Sequence, residues 1–472
     1  MISNASRRAF TNTSACVIGG VLQKGCGLWL LHITVSGMES IRPGMFGEWS
    51  VVLTLLGYAG ALADFQFDLI LLTEFSKEII PPARVLGNGV FIKFLLAIVA
   101  CTGLMLLLPF TPYSFGMKIA VIVGSFSLFS GMLGVFRVYC QSKLESLFIN
   151  VIQLSSAFLL LFGFAFLIAR HATLIEFAMV QVLATIPGDI FIACRVLKSV
   201  RPDFTPDLIL IRSFLAQTLI PGLGSVITII AYRYDVILLS LFRSSKEVGM
   251  YAASFRLTEA LSFIPGAAIK SIYPLLCRIK DPSEAYPILL RWMMIPGAAV
   301  LALFLSCGDA ILSLMYGKEM LEASGVIRWL GVAECIMFLS PLPFFILIAS
   351  GKRKEFIVSV CVFVSVNILS NSLLTPKYGV VYAAVCTALT ELTAFTIGSI
   401  LLLGNSKFRF QGKTSSIFLG CIATLIVMRQ LGGLHPLLKI VLCLGTYCIA
   451  QILTRGVNRE DIRLLRTALL RE

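Results

Sequence analysis

The chain is laid out as roughly fourteen apolar stretches joined by short polar connections, from its first residues almost to its last. Each stretch approaches the roughly 20 apolar residues that carry a helix across the hydrocarbon core of a bilayer. Hydrophobic residues fill 58% of the 472 positions and charged residues 14%, too apolar a mixture for a water-exposed surface. These features predict an all-α polytopic membrane protein. Spans are expected near 14–37, 46–69, 88–110, 117–138, 148–169, 174–194, 209–231, 249–273, 289–313, 326–349, 356–374, 380–404, 415–430 and 436–454.

The net charge of +14 would suggest nucleic acid in a soluble protein. Here the basic residues alternate between connections. One set holds Arg7, Lys77, Arg137, Arg195, Arg278, Lys352, Lys407 and the arginines of the tail; the other holds Arg42, Lys118, Arg170, Arg243, Lys246, Lys318, Lys377 and Arg429. The first set, with its neighbours, counts 22 basic residues and the second 8. The positive-inside rule then puts both termini in the cytoplasm and favours an even number of spans. The first apolar run reads as a span, since Lys24 interrupts it and no A-x-A-like cleavage site follows. The cysteines are scattered singly, as small buried hydrophobes. His32, His171 and His435 lie far apart, so no metal or haem cofactor is expected.

The most polar central connection, Arg195 to Asp207, divides the pattern. Residues 1–200 are expected to form one six-helix lobe and 201–404 a second, with two further helices and a basic tail in 405–472. Two lobes around a central cavity suit alternating access. Gly47 and Trp49 open span two much as Gly249 and Tyr251 open span eight, an echo at about half of the twelve-span part. Prolines at 187, 221, 265, 296, 341 and 343 are candidate kinks.

Charges at membrane depth are costly and should face a cavity or a partner. Lys24 sits within span one. Asp64 and Asp68 lie at i and i+4 near the inner end of span two. Glu176 and Asp189 flank most of span six. The densest set runs through Arg233, Asp235, Arg256, Glu259 and Lys270. On a continuous helix, Arg256, Glu259 and Lys270 would share one face over about 21 Å. Such a stripe either lines a polar route, where surplus positive charge attracts an anion, or locks helices as ion pairs. Arg212 either adds to the inner positive field or snorkels to the interface. Glu334 in span ten and Glu391 in span twelve are further intramembrane acids, which either pair with the basic stripe or, with Asp64, are candidates for coupling to a cation or proton.

Residues 232–278 combine an Asp before an apolar run (Asp235), a Gly-x-Tyr start (Gly249, Tyr251), Ala253 and Arg256, then Ile264-Pro265 and Pro274. Together with FGEWSVV at 46–52 and TPKYGVVYAA at 375–384, this resembles the polysaccharide-exporter and oligosaccharide-flippase family. That family includes O-antigen-type repeat-unit flippases and belongs to the larger group of multidrug, oligosaccharidyl-lipid and polysaccharide exporters. The resemblance implies two six-helix bundles around a cavity. It implies translocation of undecaprenyl-pyrophosphate-linked oligosaccharide repeat units from the inner to the outer leaflet of the bacterial cytoplasmic membrane. Its setting would be cell-surface polysaccharide assembly, lipopolysaccharide O-antigen included. A repeat-unit polymerase or glycosyltransferases are candidate partners.

The competing expectation is a multidrug or cation-coupled small-molecule exporter on the same scaffold, with its acids essential and its basic residues dispensable. An enzyme is disfavoured, because the outer connections are short and carry no clustered Asp, Glu or His. No GxxxxGK[ST] motif occurs, so no ATP motor is legible.

Overall fold

The computed structural model describes residues 22–23, 25–143, 145–276, 281–404, 414–431 and 434–454. They are all-helical, with no strand among them. Eleven helical spans are long and apolar enough to cross a membrane, and 415–430 is a shorter apolar helix. The protein is a multi-pass membrane protein.

The described residues fall into two compact units meeting between Gly249 and Met250. The first unit holds α1 (25–41), α2 (Met45–Asp64), α3 (Phe67–Lys77), α4 (Pro82–Leu107), α5 (Phe115–Ser125), α6 (Ser127–Ser142), α7 (Ser146–Ala169), α8 (Leu174–Leu197) and α9 (Leu208–Phe242). The boundary falls inside α10 (Ser245–Glu259). The second unit continues with α11 (Phe263–Leu276), α12 (Tyr286–Tyr316), α13 (Ser324–Met337), α14 (Pro341–Ala349), α15 (Arg353–Tyr378), α16 (Val380–Leu403), α17 (Thr414–Gln430) and α18 (Pro436–Leu453). The seventh span, α9, packs on α2, α3 and α4 and so belongs with the first unit, whereas the sequence places residues 201–404 together.

Local chemistry sets many helix starts. Asp207 caps α9, accepting from the amides of Ile209 and Leu210, both at 3.1 Å. Ser244 and Glu247 form a reciprocal cap at the start of α10. Thr173 and Glu176 do the same for α8. Glu176 is therefore a capping residue rather than a buried charge of span six, and its spacing of three from Thr173 gives the reason.

In the first unit, Trp49 is buried between Phe164 and Phe177, with ring centroids 5.8 and 6.4 Å away. A Cβ on Gly47 would lie 1.8 Å from the Ser245 carbonyl oxygen and 2.8 Å from the Gly249 nitrogen. Only glycine fits there, so the two glycines of the sequence echo touch backbone to backbone. In the second unit α17 and α18 pack on α12. The Tyr447 hydroxyl donates to the Ile295 carbonyl at 2.6 Å, and the Cys443 thiol to that of Ala302 at 3.7 Å. The described cysteines are all free.

Four of the expected spans are interrupted rather than continuous. The second divides into α2 and α3, the fourth into α5 and α6, the eighth into α10 and α11, and the tenth into α13 and α14. Irregular backbone at membrane depth survives only where protein or water satisfies it.

Candidate functional site

The first interruption is built by Phe65 and Gln66, both left-handed at φ 45° and 56°. Non-glycine residues there cost about 1–3 kcal/mol each and persist only where surroundings enforce them. The enforcing contact is the Phe65 ring on Gly222 of α9, where a Cβ would come within 2.4 Å of the ring. The break places Asp64 at the end of α2 and Asp68 at the start of α3. Lys93 of α4 reaches both, ion-paired and hydrogen-bonded to Asp64 and 2.7 Å from an Asp68 carboxylate oxygen. The Lys93 side chain is only 4% exposed, whereas its two partners are 40% and 34% exposed. A buried ammonium is tolerable only with such partners. The cluster carries one net negative charge at the mouth of a broken helix.

The sequence finds Asp64 by its spacing and misses Lys93. In FIKFLLAIV the lysine lies a few residues inside the expected start of its span, where it reads as interfacial. The available signal was the pair of acids with no cation assigned to them.

The second unit carries two buried acids at the other interruptions. Ser262, in the turn between α10 and α11, donates to both carboxylate oxygens of Glu334 on α13, at 2.8 and 3.0 Å. Ser340, between α13 and α14, donates to Glu391 on α16 at 2.5 Å. Glu334 is 2% exposed and Glu391 8%. Glu391 and Glu259 lie within electrostatic reach of Glu334. Carboxylates supported by hydroxyls at broken helices have the donor set that a proton or a monovalent cation needs.

The expected stripe on span eight does not exist as one helical face. The chain leaves the α-helix at Ala260–Ser262, so the rotation from Glu259 to Lys270 is not that of a continuous helix. Arg256 and Glu259 sit half-buried on α10, and Arg256 lies within electrostatic reach of Tyr316. Lys270 falls within α11, but its side chain lies outside the described residues, as does Lys24. Arg233 and Asp235 are both inside α9, which continues to Phe242. Asp235 is buried and accepts from the Val236 amide at 2.8 Å. The Arg233 guanidinium sits 5.3 Å from the Tyr232 ring centroid. Arg212, near the start of α9, is exposed.

Two cavities lie within the units. One of about 650 Å³, almost wholly apolar, lies in the second unit between α12, α13, α16 and α17, lined by Met294, Cys335, Leu339, Phe395 and Phe418 among others. A second, of about 360 Å³, lies in the first unit among α6, α7 and α8, with a mixed lining that includes Arg137, Gln153 and Asp189 beside Ile152, Leu160 and Ile192. Among the described residues no group of three His, Cys, Asp or Glu could hold a metal ion.

Comparison with known proteins gives three results. The sequence profile of a family described as polysaccharide biosynthesis protein matches residues 17–280. A probable flippase, AglR, of Haloferax volcanii is 26% identical over 186 residues, covering 35% of this chain and 36% of that protein. The match thus spans about a third of the relative's length. Among solved structures, the lipid II flippase MurJ in an inward closed conformation matches with a TM-score of 0.71 and 15% identity, over 95% of this chain and all of that one. A mutant of the Vibrio cholerae MATE transporter VcmN matches with a TM-score of 0.56 and 13% identity, over 84% and 97%. At such identities the structures establish a shared fold.

Proposed function

This chain belongs to the polysaccharide biosynthesis protein family, and from that premise we propose that it is a flippase for polyprenyl-pyrophosphate-linked oligosaccharide. In this reading it carries the lipid-linked repeat unit from the inner to the outer leaflet by alternating access, with no covalent step, for surface polysaccharide assembly. The cargo would be an undecaprenyl-linked unit of the O-antigen type, the membrane the bacterial cytoplasmic membrane, and both termini cytoplasmic. A polymerase or glycosyltransferases would act on either side of the step.

The observation that carries the reading is the placement of ionisable clusters at helix interruptions: Lys93 with Asp64 and Asp68, and Glu334 and Glu391 with their serines. A bundle that only scaffolds has no use for charge at such depth, whereas a transporter needs it to couple or to bind. The family and the flippase relative favour a lipid-linked glycan as cargo. The apolar cavity beside α17 offers room for part of an isoprenoid chain. Arg233 and Arg256, with Lys24 and Lys270, are the basic residues assigned to the pyrophosphate, which charge-assisted hydrogen bonds would hold. Asp64, Glu334 and Glu391 are assigned to coupling.

The second reading, a multidrug or cation-coupled exporter, draws on the fold shared with the MATE transporter. Cells separate the two. Loss of this protein should make the lipid-linked oligosaccharide accumulate facing the cytoplasm and deplete surface glycan, and Glu334→Gln should reproduce the defect at unchanged abundance. Normal surface glycan with raised sensitivity to cationic drugs would replace the flippase reading by the exporter.

A further inference from the structure

The cavity of the first unit is lined by none of the residues of the Asp64, Asp68 and Lys93 cluster. Its volume of about 360 Å³ falls in the roughly 300–1,000 Å³ range of small-ligand sites and far exceeds the ~30 Å³ share of one water. Arg137 of α6 and Asp189 of α8 both line it. Their nearest N and O atoms are 3.6 Å apart, an ion pair too long for a hydrogen bond. The Arg137 side chain is 29% exposed and that of Asp189 14%, and both residues contribute to the cavity wall. Around them stand Ser130, Gln153, Ser156 and Thr185, a wall of hydroxyls and an amide. The Gln153 side-chain oxygen is already held by the Gln23 amide at 3.0 Å, which fixes the amide's direction.

This lining has a definite selectivity. Arg137 and Asp189 cancel, so the site is electroneutral. A phosphate or a free cation would leave uncompensated charge among apolar helices, at a cost of several kcal/mol. A neutral ligand that both accepts and donates is favoured. Its acceptor would take a guanidinium N–H and its donor would give to the carboxylate, bridging the 3.6 Å gap. Vicinal hydroxyls of a sugar ring meet this demand, as does an acetamido group, whose carbonyl accepts and whose N–H donates.

We propose that the cavity bounded by α6, α7 and α8 is a saccharide-binding site that takes one neutral sugar ring. If the protein is the flippase proposed above, that ring belongs to its cargo, and the cavity selects glycan where the basic residues elsewhere hold pyrophosphate.

The test is saturation-transfer NMR on the full-length protein in nanodiscs, with a panel of free hexoses, 6-deoxyhexoses and N-acetylhexosamines as probes. At least one sugar should receive saturation, and inorganic phosphate should not displace it. Asp189→Asn should weaken binding about tenfold, the loss expected for one hydrogen bond to a charged group. Ala157→Phe, which fills the cavity, should abolish it. If Ala157→Phe fails to fold, Thr185→Val with Ser156→Ala carries the same expectation. Transfer to no sugar, displacement by phosphate, or binding that survives the cavity variants would each overturn the site. Transport of lipid-linked glycan without sugar binding would remove the site and spare the flippase. Sugar binding without transport would do the reverse.

Discussion

Lys93 is the residue that joins the two acids flanking the α2/α3 interruption. It is buried, and without it the carboxylates of Asp64 and Asp68 would face each other across a strained turn. Stranding a buried charge by removing its partners costs about 3–5 kcal/mol, and Lys93 is the buried member of the cluster. Asp64→Asn combined with Asp68→Asn is therefore expected to lower the thermal unfolding temperature of the detergent-solubilised protein markedly. Asp64→Asn alone, which leaves Asp68 to pair with the lysine, should lower it far less. Equal melting of the double variant and wild type would show that the cluster holds nothing together. The sequence made part of this visible for an imperfect reason. An i,i+4 spacing selected the two acids, yet Phe65 and Gln66 between them are not helical. The acids converge because the turn folds them toward one lysine. Glu334 and Glu391 were legible because an acid deep in an apolar run has few innocent explanations. Their serine partners were not, since a serine at a helix break looks like any other serine.

At the scale of the element, hydropathy finds helices and misses their interruptions. The α10/α11 turn, Ala260-Leu261-Ser262, contains neither glycine nor proline, and Pro265 a little later is its only cue. Rotation arithmetic across it could not hold. Alternation of charge along the chain gave no sign that α9 packs with the first unit, because packing partners are set by side-chain shape rather than by order. The paired glycines show the opposite case. Gly47 and Gly249 stood out as an echo, and the structure gives the physical need, a backbone crossing with no room for a methyl group. Gly47→Ala should therefore reduce folded yield and melting temperature, whereas Gly57→Ala, with open space around its Cβ position, should be neutral. Similar losses from both would mean that helix propensity, and not the crossing, decides.

For the whole molecule, the all-helical membrane architecture was legible because a bilayer allows so few solutions. Length, apolarity and short connections nearly determine it, and the matching flippase and transporter structures share it. Orientation rests on the charge asymmetry. Introduced cysteines at 112–116, 243–247 and 318–322 are expected to label from outside intact cells, and those at 350–354 to stay protected. Labelling at 350–354 would invert the topology and reverse the direction of transport.

The central claim concerns cargo, and reconstitution addresses it most directly. Proteoliposomes containing only this protein should move a fluorescent polyprenyl-pyrophosphate oligosaccharide between leaflets and return it chemically unchanged. The Glu334→Gln protein at equal incorporation should move it more slowly. Folded wild-type protein that leaves the lipid-linked glycan in place while exporting a cationic dye would contradict the account.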